Sequence, residues 1–366
     1  MHRTVKLLTS VLVISLCLSG CMGTSTNDTL ALQAGDYVAM LPFESSDTRV
    51  KHVGLISDQD IRIEIESGLM DLSKQYFDPS SVGYRTHTFL DFDELDATDG
   101  SRGLLGTLRD DNPNGLNPSR DEAFDTGNGE VTGATILVDI YELDWYNTND
   151  NLRGISLALV VNDEVEDDAG NTYEITKEKL QNYIEVTAGK LVNYMRERFN
   201  DISARIPIYI AAYSLDSSQE SLGGYFYEGM FEGSSGSYNS LDEEWILVPS
   251  TQLTTDDPTT AEQFNTFKED IQNVLPDYTY VTGKAKYENG NLVKLQLDIT
   301  SHGKTAGEIL AVCQTANSSL SVFTSTDCEY QITITNDDTV YAMINRDIDS
   351  TETNFSILFS SINTRF

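Results

Sequence analysis

Basic side chains are scarce: the 366 residues hold 24 Lys and Arg against 58 Asp and Glu, a formal charge of -34. Nucleic-acid binding is excluded on that count, because affinity for a phosphate backbone depends on Lys and Arg displacing counterions. Runs of spanning length are missing too. The apolar stretch Val11-Leu-Val-Ile-Ser-Leu-Cys-Leu18 falls short of the ~20 residues that cross a bilayer. Histidine and cysteine number four each. His52, His87 and His302 lie far apart in sequence and no Cys pair has ligand spacing, so no zinc site is expected. The chain has no Gly-x-Ser-x-Gly elbow and no phosphate-cradling glycine loop. Asp-Thr-Gly occurs once, at Asp125-Thr126-Gly127. Aspartic-protease chemistry needs two carboxylates sharing a proton, so a single copy reads as a turn. Acidic clusters at 91–96 and 163–168 lack the glycine placement of an EF-hand loop and read as solvated loops. No metal, cofactor or catalytic residue is expected.

What is present begins at the N-terminus. His2, Arg3 and Lys6 precede the apolar stretch, and Leu18-Ser19-Gly20-Cys21 follows it. This is the layout of an export signal ending in a lipobox: cleavage after Gly20 leaves Cys21 to carry a diacylglyceryl group. Two acyl chains, each worth ~0.8 kcal/mol per buried methylene, hold a protein to a membrane stably. The mature chain is therefore expected on the outer face of the cell membrane, anchored but not spanning. Residues 21–35 are small and polar, a tether with a reach of roughly 20 Å. Once Cys17 has left with the leader and Cys21 is acylated, Cys313 and Cys328 remain. Export favours a bridge between them, but spacing alone leaves two free thiols equally open.

The folded part is expected to start near residue 36. Ile61, Ile65, Leu69, Leu72 and Tyr76 recur at helical spacing, giving a helix over 58–77 closed by Pro79. Residues 91–130, rich in Asp, Asn, Gly and Pro, read as a long ordered loop, which commonly borders a recognition surface. Strands follow around 136–140 and 155–161, then an amphipathic helix over 180–199 and a strand at 206–213. A helix at 260–275 is expected to start with a Thr259/Glu262 capping box and to pack across both halves. The order strand, strand, helix, strand then returns. Strands at 278–287 and 292–300 are joined by Asn289-Gly290, a hairpin signal. A helix at 305–321 and a strand at 329–335 complete the unit. The fold class is thus α+β with two lobes, 36–250 and 251–366, each a mainly antiparallel sheet packed by amphipathic helices. Candidate binding-surface residues are Asn112, Leu116 and Asn117 in the long loop, with Leu116 holding it to the body, and the aromatics Tyr225, Tyr227 and Trp245, which could line a groove for a peptide, glycan or protein ligand.

Several segments, in order, resemble the CamS or sex-pheromone lipoproteins of Gram-positive bacteria. They are the lipobox, Gly68-Leu-Met-Asp-Leu-Ser-Lys74, Gly115-Leu-Asn-Pro-Ser119, Ile206-Pro-Ile208 leading to Ala212-Tyr213, Leu247-Val-Pro-Ser-Thr251 and Gly283-Lys-Ala-Lys286. The resemblance implies an exported lipoprotein of α+β fold without established catalysis. It also implies a second role, in which the trimmed leader acts as a mating signal. Here the seven residues before the lipid cysteine are Ile14-Ser-Leu-Cys-Leu-Ser-Gly20, less uniformly aliphatic than the family's peptides. The expected function is a non-enzymatic binding or envelope-interaction protein. The alternatives are a pheromone precursor and a cell-wall hydrolase using paired carboxylates.

Overall fold

The computed structural model describes residues 35–96, 103–167 and 169–358. Cys21, Gly20 and the tether lie outside the described residues. The N-terminal half is built on strands β1 (Val38–Ala39), β2 (Gly83–Thr86), β3 (Leu137–Tyr146), β4 (Leu152–Asn162), β5 (Ile208–Leu215), β6 (Ser221–Glu232) and β7 (Ser235–Ser240). Its helices are α1 (Arg49–Leu55), α2 (Gln59–Ser73), α3 (Phe92–Asp96) and α4 (Lys177–Arg198). The C-terminal half carries β8 (Glu243–Val248), β9 (Thr279–Glu288), β10 (Asn291–Ser301), β11 (Glu329–Asn336), β12 (Thr339–Arg346) and β13 (Asn354–Ile357), with helices α5 (Thr251–Asp256), α6 (Pro258–Val274) and α7 (Ala306–Ser319). All thirteen strands join in one hydrogen-bonded sheet that runs from β1 to β13. Neighbours are antiparallel except β1/β2, β4/β5 and β10/β11.

The two halves share a topology. β3 and β4 pair antiparallel, α4 crosses over, β5 returns parallel to β4 with Ile155 opposite Ile208, and β6 turns back antiparallel. In the second half β9 and β10 pair antiparallel, α7 crosses over, β11 lies parallel to β10 with Lys294 opposite Glu329, and β12 turns back. The Asn289-Gly290 turn has positive φ at both residues, 51° and 73°, as a tight hairpin requires.

Burial separates the halves. β4 is buried on both faces from Ile155 to Val161, apolar throughout except for Ser156. α4 covers one face through Ile184, Leu191 and Met195, and α2 covers the other through Ile65 and Leu69. β11 instead alternates buried and half-exposed, because α6 and α7 cover only one face of the C-terminal sheet. α6 packs with α7 in this core, not across both halves as expected. The element that reaches both is α2, whose Glu64 accepts a 2.6 Å ion pair from Lys284 of β9. β8, expected in the first lobe, contributes Ile246 and Val248 to the C-terminal core. The α6 N-cap is Asp257, which accepts from Thr260 N at 3.0 Å, and the full capping box sits at Thr305 and Glu308 of α7.

Cys313 and Cys328 are both buried free thiols, so the bridge is not formed. Each fills space in the C-terminal core, Cys313 on the inner face of α7 and Cys328 just ahead of β11. Burial pushes the thiols up to about 11 and about 12, which keeps both in the unreactive protonated form.

Candidate binding cleft

The residues expected at a binding surface are buried. Asn117 is a staple: its Oδ1 accepts from Ile136 N and Leu137 N at 2.8 Å each, and its Nδ2 donates to Leu105 O and Leu137 O at 2.9 Å. Asn112 donates to Gly103 O at 2.8 Å and folds the loop on itself. Leu116 does hold the loop to the body, inside the α4-side core. Tyr225 lies under α2 and donates to Ile65 O at 2.5 Å, with Gly68 of α2 leaving room for its ring. Tyr227 donates to Glu185 at 2.7 Å, and Trp245 lies beneath Lys284. Asn117, Tyr225 and Tyr227 thus spend side-chain polar atoms on the protein's own groups rather than on a ligand. Asp125-Thr126-Gly127 is the turn expected, with the Asp125 carboxylate accepting from Gly127 N at 2.9 Å.

A different set of groups converges where α1, α2 and β3 meet. His52 of α1 places Nδ1 2.6 Å from Oδ2 of Asp139, a carboxylate with no solvent exposure. Its Nε2 is 2.9 Å from Nε2 of His87, which follows β2 in a left-handed conformation (φ 47°). Two histidines 35 residues apart are thus neighbours. His87 Nδ1 faces only the Leu90 carbonyl at 2.9 Å, so it must carry the proton and donate. His87 Nε2 is then an acceptor, facing His52 Nε2 at 2.9 Å and the Glu142 N–H at 3.3 Å. His52 thus links the buried Asp139 carboxylate to His87. Burial and the neighbouring His52 charge push His87 down to about 3, so it is neutral. His87 occupies the position at His52 Nε2 that a nucleophilic hydroxyl or thiol would need. Among the described residues no group of three or more His, Cys, Asp or Glu could hold a metal.

Behind this relay lies a pair of buried carboxylates. Glu142 accepts from Phe89 N at 2.9 Å and Leu90 N at 2.7 Å, and Asp144 from Thr88 N at 3.0 Å. The two lie two residues apart on β3 and are electrostatically coupled. Burial, then the other's charge, drives Glu142 well above the usual carboxylate range, and burial raises Asp144 to about 6. Through these backbone bonds the pair fastens the turn that carries His87.

On the solvent side, His52 stacks on Tyr141 with ring centroids 3.9 Å apart. The Tyr141 hydroxyl is buried and has no partner among the described residues. Two adjoining cavities, about 280 and 260 Å³, share Arg49, His52, Glu66 and Tyr141 as walls. The sequence signal that could have pointed here is acid at Asp139, Glu142 and Asp144 within an otherwise apolar strand. A larger cavity of about 630 Å³ opens at the carboxyl ends of β4 and β5, rimmed by Asp58, Asp163 and Asp216.

The continuous sheet with one doubly covered and one singly covered half defines a class of mixed α/β protein whose two units repeat one topology. The chain belongs to the family described as CamS sex pheromone cAM373 precursor, whose model matches residues 43–352. It is similar to a solved structure of a sex pheromone precursor from Lactobacillus salivarius subsp. salivarius UCC118. That match has a TM-score of 0.75 and 22% identity, and covers 89% of this chain and 96% of that one. It is also similar to the C-terminal domain of the sex pheromone staph-cAM373 precursor from Staphylococcus aureus. There the TM-score is 0.64 and the identity 20%, with 81% of this chain and 95% of that one covered. No curated protein matches.

Proposed function

We propose that the chain is a lipid-anchored extracytoplasmic binding protein, non-enzymatic, with its folded body presented beyond the membrane on the tether. The observation that carries the reading is the lipobox at the end of a charged-then-apolar leader, with Cys21 as the acylated residue. None of the described helices is long and apolar enough to cross a membrane. Acyl-chain labelling tests this: the Cys21→Ser variant should take up no label and accumulate as precursor. Cleavage and labelling equal to wild type would overturn it.

The hydrolase alternative loses ground at the carboxylate pair. Glu142 and Asp144 accept backbone N–H groups of the 88–90 turn and are buried under it, so a glycan could reach them only if the turn opened. A second reading has support of its own, because the similar solved proteins are described as sex pheromone precursors. In that reading the leader, cleaved after Gly20, is trimmed to a short apolar peptide. Mass spectrometry of spent medium should then find a peptide ending at or near Gly20, and its absence from a processing strain would remove this role.

A further inference from the structure

The cleft at Tyr141 differs in charge from the rest of the molecule. Arg49 and Arg62 line it, and neither guanidinium forms an ion pair among the described residues. Arg49 donates to the Ser46 carbonyl at 2.8 Å, and Arg62 to the carbonyls of Ile56 and Ser57. His52 is paired from behind with Asp139. Glu66 is then the one carboxylate in the walls, and burial pushes it above its ordinary range. Two arginines against one carboxyl group leave a local surplus of one positive charge in a chain of -34. Unpaired guanidinium groups at a partly desolvated surface favour a planar anion that accepts two parallel hydrogen bonds. One net charge matches a monoanion better than a phosphate.

The rim is apolar. Phe43, Val53 and Ile63 line the two cavities and are 44%, 55% and 49% exposed. Large apolar side chains grouped at the mouth of a polar cleft mark a ligand with a hydrocarbon part. The orphaned Tyr141 hydroxyl, held in place by its stack on His52, is a donor whose acceptor the protein does not supply.

We propose that this cleft binds a small apolar carboxylate, with the carboxylate between Arg49 and Arg62 and the hydrocarbon along Phe43, Val53 and Ile63. The inference rests on the binding-protein reading and names the chemistry of its ligand. Fatty acids and short apolar peptides with a free C-terminus share that chemistry.

The test is calorimetric titration of the mature chain carrying Cys21→Ser, with octanoate, octanol, and a short apolar peptide as free acid and as amide. Octanoate or the free-acid peptide should bind, while octanol and the amide bind at least about tenfold more weakly; which acid is preferred separates the two sources. Arg49→Gln and Arg62→Gln should each weaken binding about tenfold, the range for a charged hydrogen bond. Tyr141→Phe should weaken it several-fold while the free protein melts no lower than wild type, since an unsatisfied hydroxyl is removed. Should an arginine variant fail to fold, the exposed Phe43→Ser still decides: it should weaken octanoate more than acetate. Octanol binding as well as octanoate, or binding unchanged in the variants, would place the ligand elsewhere and overturn this site while leaving a binding role intact. No binding by any probe would overturn the proposal, whereas acyl labelling of Cys21 reports separately on the anchor.

Discussion

At the scale of single residues, the half-buried His87 makes stability depend on pH in a calculable direction. It is held near 3 in the fold against an ordinary value of 6.5. Between those limits the unfolded chain binds a proton that the native chain refuses, so this residue's contribution is complete above pH 6.5 and is lost as pH falls. The loss runs at about 1.4 kcal/mol per pH unit. Glu142 and Asp144 act in the opposite sense, because raised carboxylates favour the fold at low pH, and they mask the effect in wild type. The stability difference between wild type and His87→Asn isolates it: urea titrations should show that difference shrinking from pH 6.5 toward pH 4. A difference that stays constant would mean His87 is charged in the fold. Asn117 offers a simpler case. Asn117→Ala leaves the buried amides of Ile136 and Leu137 without an acceptor, and should cost about 2–4 kcal/mol by urea unfolding. Such residues resist reading from sequence. Asn117 in a Pro-rich loop resembles any turn asparagine, and His52 and Asp139 acquire meaning only when α1 lands on β3.

Secondary elements were more legible than the contacts between them. The 3.6-residue periodicity of Leu180, Ile184, Leu191 and Met195 marks α4 because one stripe must be buried, and the structure buries that stripe. The alternation of Leu295, Leu297 and Ile299 with Gln296 and Asp298 likewise announces a strand covered on one face. Caps are harder, because several Ser, Thr and Asp residues near a helix start compete for one site. At α6 the tetrapeptide Thr259 to Glu262 satisfies the capping-box pattern, yet Pro258 at the first turn sets the start earlier and hands the role to Asp257. Asp257→Ala should therefore cost about 1 kcal/mol, and Thr259→Ala only a few tenths, by thermal or urea unfolding. Equal effects would return the cap to Thr259. The long loop was legible in its anchor, Leu116, but not in its role. Its asparagines look solvated in sequence because the carbonyls they serve, from Gly103 to Leu137, are scattered along the chain.

At the scale of the whole molecule, the two halves meet on β6. Gly224 to Phe231 pair with β5 of the first half, while Ser221 and Gly223 pair with β8 of the second. The seam requires glycine. Gly223 has φ +86°, and a Cβ there would stand 2.0 Å from the Ser214 carbonyl oxygen; one at Gly224 would stand 2.0 Å from that of Glu243. The backbones on either side approach too closely for any side chain, so a methyl group must force one half away from the other. The two tryptophans report on the two sides: Trp145 is fully buried in the α2-side core, and Trp245 lies on β8 under Lys284. In wild type the continuous sheet and the Glu64–Lys284 pair across α2 should make both unfold together, so Trp145→Phe and Trp245→Phe proteins, each normalised to its own circular dichroism, should show coincident fluorescence and secondary-structure transitions in urea. Gly224→Ala in those two backgrounds should separate the transitions, the half reported by Trp245 melting at a urea concentration different from the half reported by Trp145. If the transitions of Gly224→Ala stay coincident with an unchanged midpoint, the close approach at β6 is not what couples the halves, and α2 alone carries the coupling.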